Sequence, residues 1–165
     1  MLLALDVHYK ENITKAVGVL FNWEDTEPTE IITAFINDVA EYVPGEFYKR
    51  ELPCLLNVID KIDLNQIEAI IIDGYVYIDN EKNYGLGGIL WETLNKQIPI
   101  IGVAKTSFIK NKETVIEVSR GESIKPLFVS AIGFDLNIAA LKIKQMHGSY
   151  RIPHILKQLD TETKA

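Results

Sequence analysis

Two apolar runs in this chain end on aspartate. Residues 68–74 read EAIIIDG, four apolar positions leading into Asp73 and then Gly74, and residues 1–6 read MLLALD, ending on Asp6. A short apolar run bounded by polar residues is the pattern of a strand buried on both faces. A carboxylate at the carboxyl end of such a strand sits where open α/β sheets bind their ligands. Packing does not ask for it there, because a buried unpaired charge is costly. Asp73 can also simply start a turn before Gly74. The second strand with the same ending points to chemistry, since two such carboxylates could converge on a metal ion. Metal-assisted hydrolysis of a phosphodiester needs anionic oxygens that hold one or two divalent cations, orient a water and neutralise charge on the phosphate. Glu51, in the stretch YKRELP, is a third candidate from the start of a helix, or else a solvated surface acid. Lys105, which follows the run IPIIGVA, is placed to contact a phosphate or offset developing charge, or else to snorkel from a strand end.

The elements that must position these residues follow from periodicity. Residues 1–9 and 15–22 read as paired strands around a turn at residues 10–12, and a third strand is expected near residues 30–35 after an acidic connection carrying Pro28. Residues 37–41 are a connector, and Pro44-Gly45 marks a tight turn. Leu52, Leu55, Leu56 and Ile59 have helical spacing within residues 47–61, with Pro53 either in the first turn or marking a late start. The lone Cys54 then reads as a small apolar side chain on that helix. Residues 69–73 form the buried strand, 75–84 a polar, aromatic loop, 86–97 a helix and 98–104 another buried strand. Residues 114–119 and 126–130 suggest a hairpin around Arg120-Gly121, residues 135–147 a helix with Asp135 near its N-cap, and residues 151–165 a basic, then polar tail. Helices between buried strands imply parallel pairing with right-handed crossovers. The expected fold is therefore a ribonuclease H-like α/β layer: a mixed sheet of three antiparallel strands, then parallel ones, flanked by helices. That topology would set Asp6 beside Asp73.

Composition narrows the function classes. With 165 residues, 47% hydrophobic and 24% charged, the chain is expected to be one domain, 1–165, with a sizeable core. No apolar run approaches the ~20 residues of a bilayer span. The opening MLLALDVHYK has no basic stretch and carries an acid at position 6, so a cytoplasmic protein with no membrane partner is expected. The net charge of −6 argues against nonspecific coating of nucleic acid. Residues 1–104 hold 7 lysines and arginines against 17 aspartates and glutamates, a balance of −10, whereas residues 105–157 hold 9 against 4, a balance of +5. An acidic pole for metal beside a basic face for phosphate suits a nuclease; an ordinary solvated surface is the alternative.

Several segments in order along the chain resemble the endonuclease V family, the deoxyinosine 3′-endonucleases. They are LDVHY at residues 5–9, YVPG at 42–45 with Glu51 nine residues after Tyr42, IIIDG at 70–74, PIIGVAK at 99–105, RGESIKPLFVS at 120–130 and YRIP at 150–153. The resemblance implies a magnesium- or manganese-dependent enzyme that cuts DNA or RNA near a deaminated adenine. It implies Asp6 and Asp73 as metal ligands, Glu51 as the completing carboxylate and Lys105 as the catalytic lysine. Tyr42, Val43, Pro44 and Gly45 resemble the wedge that pries a lesion from its stack, a role suited to a stiff turn with a stacking face. Gly74 is retained from the loop that approaches the extruded base.

Two stretches depart from the family pattern. Where a histidine is expected in a VSPGH-like motif this chain has VSAIGFD, with Phe134 at that position. The adjacent Asp135 could replace it as a fourth ligand or could be a plain helix cap. The glycine-rich loop after the second aspartate reads DGYVYIDNEKNYGLGG, so Val76 and Tyr77 are expected to add bulk where a base would approach. The leading expectation is a metal-dependent endonuclease, working as a monomer on single-stranded or lesion-containing nucleic acid. The rival is a degenerate relative that binds nucleic acid or a protein partner without cleavage.

Overall fold

A computed structural model describes residues 1–37 and 48–165. Its centre is a seven-stranded sheet in the order β3-β2-β1-β4-β5-β7-β6. The strands are β1 (Leu2–Tyr9), β2 (Thr14–Phe21), β3 (Glu30–Ile36), β4 (Ala69–Asp73), β5 (Ile100–Ala104), β6 (Ile116–Val118) and β7 (Leu127–Ile132). β1, β2 and β3 are antiparallel neighbours, β4 pairs parallel with both β1 and β5, and β7 is antiparallel to β5 and β6. This is the mixed sheet expected from the order of strands and helices. The described wedge expectation for Tyr42, Val43, Pro44 and Gly45 falls outside the described residues.

Both faces of the sheet are covered, and strand alternation sorts the side chains between them. On one face Leu3, Leu5, Ile70 and Ile72 pack with Cys54, Leu55, Val58 and Ile59 of α1 (Tyr48–Ile59) and with Leu86 and Leu90 of α2 (Leu86–Thr93). On the other, Leu2, Ala4, Ala69 and Ile71 pack with Ala139, Ala140 and Ile143 of α3 (Leu136–Gln145) and with Ile155 and Leu159 of α4 (His154–Lys164). Cys54 is a buried apolar contact, as its isolation suggested. No helix among the described residues is long and apolar enough to cross a membrane.

Two sequence expectations are corrected here. Pro53 neither starts α1 nor lies in its first turn, since the helix already runs from Tyr48. Its exposed position leaves the proline ring outside the packed face, which Cys54, Leu55, Val58 and Ile59 supply. Residues 151–165 are not a polar tail, because α4 occupies most of them. Ile155, Leu159 and Thr163 repeat every four residues and are buried, so a helix with a narrow apolar stripe lies against the sheet. Burying two such aliphatic side chains contributes about 1.5–3 kcal/mol each, enough to hold the helix down. The Lys15 ammonium, buried in β2, donates to the Glu162 carbonyl at 2.7 Å and so also satisfies the end of α4.

Candidate active site

The β1–β4 register brings the two predicted aspartates together. Leu5 pairs with Ile72, and Asp6 and Asp73 are the next residues on their strands. Leu5 and Ile72 face α1, so the alternation turns Asp6 and Asp73 towards α4. There they line a cavity of about 40 Å³ together with Lys105 and with Leu156, Leu159 and Asp160 of α4. Glu51 reaches the same strand ends from the α1 side. It lies one helical turn before Cys54 and Leu55, on the face that packs against the sheet.

The charges at these strand ends repel one another. The Asp6 carboxyl is pushed up to about 6, first by burial and then by Asp73, with the Val7 amide and Lys105 pulling the other way. The Val7 N–H donates to Asp6 Oδ1 at 2.9 Å. Glu51 is pushed up to about 7 by burial and then by the charges of Asp6 and Asp73, against a smaller pull from Tyr9 and Arg50. The Arg50 guanidinium lies 3.6 Å from the centre of the Tyr9 ring and so braces the side chain next to Glu51. Lys105 Nζ stands 3.6 Å from Asp73 Oδ2, the two side chains being 41% and 45% exposed. A pair this exposed is worth about 1 kcal/mol or less. Lys105 can therefore leave Asp73 at little cost.

Asp160 is the acidic residue that sequence reasoning missed. It raises the Asp6 pKa from across the cavity, and it feels the charge of Lys105 in turn. Burial works to raise its own pKa, but the bond from Lys164 and the charges of Lys105, Lys164 and Lys157 outweigh it and hold the carboxyl below the ordinary range. The local signal was the spacing of Ile155 and Leu159, which makes residues 154–164 a helix and sets Asp160 at the edge of its buried stripe. Two arginines fix that helix against the site. Arg120, buried at 5% exposure, donates to the carbonyls of Lys144, Met146, Gly148, Tyr150 and Arg151, the whole turn between α3 and α4. Arg151 donates to the carbonyls of Lys105 and of Pro126, tying the start of α4 to the residue that faces Asp73.

Asp135 is corrected by topology. β7 runs antiparallel to β5, with Ile132 opposite Ile100 and Phe128 opposite Ala104. Residues beyond Ile132 thus emerge beside the start of β5, whereas Asp73 is level with Val103 near its end. Asp135 is at the far edge of the sheet, where its Oδ1 accepts from the Ile138 N–H at 2.9 Å and caps α3. Phe134 packs on the core beside it and so stands away from the acidic site.

The loop after β4 is held from below. Gly74 has φ +141°, which suits glycine alone, and follows Asp73 directly. A Cβ on Gly102 would stand 2.5 Å from the Gly74 carbonyl and 2.7 Å from Ser130 Oγ, so glycine there lets the loop lie on β5. Ser130 Oγ accepts from the Val76 N–H at 3.0 Å. Val76 is fully buried in the α2 layer, and Tyr77 is half-buried against the same layer. The bulk expected on the base-facing side is thus turned inward. What faces outward is Tyr75, whose hydroxyl donates to the Thr106 carbonyl and whose ring stands 6.2 Å from that of Phe108.

Whether these residues suit a cation depends on donor chemistry and spacing. Among the described residues, no three His, Cys, Asp or Glu side chains are gathered closely enough to hold a metal ion as they stand. The donor set itself is a hard one: Asp6, Glu51, Asp73 and Asp160 offer carboxylate oxygens alone, the kind that Mg²⁺ and Mn²⁺ prefer. Two of the four have raised pKa values, first from burial and then from neighbouring carboxylates, and a divalent cation would relieve the second of these.

An aspartate at the end of β4, another level with it inside the neighbouring parallel β1, and helices on both faces of a mixed sheet fit a ribonuclease H-like fold. The chain belongs to the endonuclease V family, whose sequence profile matches residues 1–124. It is 29% identical over 107 residues to endonuclease V of Sulfolobus acidocaldarius, covering 64% of this chain and 49% of that protein, so the match spans about half of that relative. It is 26% identical to endonuclease V of Trichormus variabilis, covering 90% of this chain and 74% of that one. The crystal structure of Ciona intestinalis endonuclease V, in complex with a 24mer DNA containing an inosine followed by a ribo-adenosine, superposes with a TM-score of 0.79. That likeness covers 99% of this chain and 83% of the other at 18% identity.

Proposed function

We propose that this chain is an endonuclease that hydrolyses a phosphodiester bond in DNA or RNA at or near a deaminated, inosine-bearing or otherwise distorted site, with Mg²⁺ or Mn²⁺ as cofactor. The observation that carries the reading is the register of β1 and β4. It sets Asp6 beside Asp73, with Glu51 coupled to both and Lys105 3.6 Å from Asp73, in a member of the endonuclease V family. Asp6, Glu51, Asp73 and Asp160 would hold the cation. Bound there, it would supply a Lewis acid and a template for water and phosphate. Lys105 would leave Asp73 for a phosphate oxygen and offset the charge that develops on it. Gly74 leaves the backbone bare beside Asp73, and Tyr75 and Phe108 offer ring faces to a base extruded next to the site. Tyr42, Val43, Pro44 and Gly45 act as the wedge; Tyr42→Ala should weaken binding to an inosine-bearing duplex by about 1–3 kcal/mol and leave plain duplex nearly unchanged. All four acidic side chains come from one chain, which supports a site that a single copy completes. The cytoplasm is the proposed place of action.

A binding protein that does not cut is the second reading. The spread of the carboxylates, no three of which are gathered closely enough to hold a metal ion among the described residues, favours it. Labelled inosine-containing DNA and RNA, incubated with Mg²⁺ or Mn²⁺ beside the Asp73→Asn variant, separate the two. Incision by the parent chain alone supports the endonuclease. No incision above that of the variant, with binding retained, supports the second reading.

A further inference from the structure

Next to the catalytic cavity, and sharing Ile152 with it, lies an open cleft of about 580 Å³. His147, Tyr150, Arg151, His154 and Lys157 line it with Ile152, and the carboxylate nearest to that lining besides Asp160 is Glu27, 3.0 Å from His154 Nε2. The size difference between the two spaces decides what each can hold. At about 40 Å³ the acidic cavity admits water-sized groups or a phosphate oxygen. The cleft falls within the roughly 300–1,000 Å³ of small-molecule sites and has room for a nucleotide. Tyr150 is 80% exposed, so its ring face is open. Its backbone is fixed all the same, since the Arg120 guanidinium donates to the Tyr150 carbonyl at 2.6 Å and to the Gly148 carbonyl at 2.9 Å. An exposed ring on a pinned backbone loses little freedom when something stacks on it. Lys157 reaches to 3.7 Å from Asp160, so the basic wall of the cleft runs straight to the acidic site.

We propose that this cleft seats the single-stranded stretch of polynucleotide that continues from one side of the bond to be cut. Tyr150 stacks on a base, and Lys157 faces the phosphates. A positively charged groove with an aromatic stacking face is how proteins track single strands without reading their sequence. The inference rests on the endonuclease reading, and its test is built to fail separately from it. The full chain carrying Asp73→Asn is titrated, by fluorescence anisotropy in Mg²⁺, with a short inosine-bearing single strand and with the same strand extended at one end or the other. Extension at one end should tighten binding. Tyr150→Ala in that background should remove the gain, about 5- to 100-fold, and leave the short strand's affinity unchanged, while Tyr150→Trp should keep the gain. Equal affinity of Tyr150→Ala and its parent for the extended strand would overturn the proposal, as would an equal loss on the short one. Incision by the wild-type chain is measured separately. If it is absent while the gain on extension persists and depends on Tyr150, the cleft stands and the endonuclease reading falls. If it is present while extension is indifferent to Tyr150, the reverse holds.

Discussion

At the carboxyl edge of β1 and β4, Asp6 and Asp73 stand side by side with Glu51 and Asp160 near them, and burial and mutual repulsion push Asp6 and Glu51 to about 6 and about 7. At the opposite edge Asp135 accepts the Ile138 N–H and closes the first turn of α3. The residue type is the same and the circumstances are opposite. Asp135 does for the fold what a cap does, contributing about 1 kcal/mol by satisfying a helix N–H. At the other edge Asp6 and Glu51 lower the stability of the metal-free fold, because ionising them in a partly buried place beside other carboxylates is unfavourable.

Four measurements would sharpen or break that contrast. The largest effect is expected at the repelling edge. Asp73→Asn should lower incision by about 100-fold or more, since groups that merely orient a metal ligand are already worth 10–100-fold. Its melting temperature should not fall. A loss of stability matching the loss of activity would place Asp73 with Asp135 as a structural residue.

Next comes pH. Asp6 and Glu51 have folded pKa values above their unfolded ones, so between about pH 4 and 7 the folded chain binds more protons than the unfolded chain. The contribution of these two groups to the stability of the metal-free protein should therefore be largest below that window and fall as pH rises through it, whereas cation affinity and incision should rise, as protons leave the ligands. Glu51→Gln should stabilise the metal-free protein at pH 8 by about 1–2 kcal/mol, after discounting for partial exposure, and should flatten the pH slope. Thermal melts across pH, with and without Mg²⁺, check both signs.

At the capping edge, Asp135→Ala should cost about 1 kcal/mol, or roughly 2–4 °C in melting temperature, and leave incision per folded molecule unchanged. Asp135→Asn, which keeps a capping oxygen, should change neither. The smallest functional effect is expected for Phe134→His. A new imidazole at the far edge should lose some core packing and leave cation affinity unaltered. Any gain in cation affinity or incision from it would contradict the strand directions given above.

Much of the site was legible before any coordinates because its residues end short apolar runs. MLLALD and EAIIID are both too short for helices and too apolar for loops. Asp73 does end β4, whereas Asp6 lies inside β1, which continues to Tyr9, and meets Asp73 because the β1–β4 pairing stops at Leu5 and Ile72. The alternation of helices with such runs then required parallel pairing, which puts like ends together, and Lys105 follows by the same logic from IPIIGVA. Helix α4 was harder to see: its buried stripe is two aliphatic residues and a threonine in eleven positions, and a polar majority reads as a tail until a sheet is there to receive the stripe. Asp160 was hidden with it.

What only the tertiary structure decided is which edge each later residue reaches. Local sequence specifies that residues 127–132 form a strand and that Asp135 caps the next helix. It does not specify whether that strand runs with β5 or against it. A parallel β7 would have delivered Asp135 to the edge that holds Asp6 and Asp73; the antiparallel β7 delivers it to the opposite one, and the chain must then return through the turn held by Arg120 before α4 brings Asp160 to Asp6. Strand direction depends on pairing between segments far apart in the chain, and that pairing is settled by burial of whole faces rather than by any one residue.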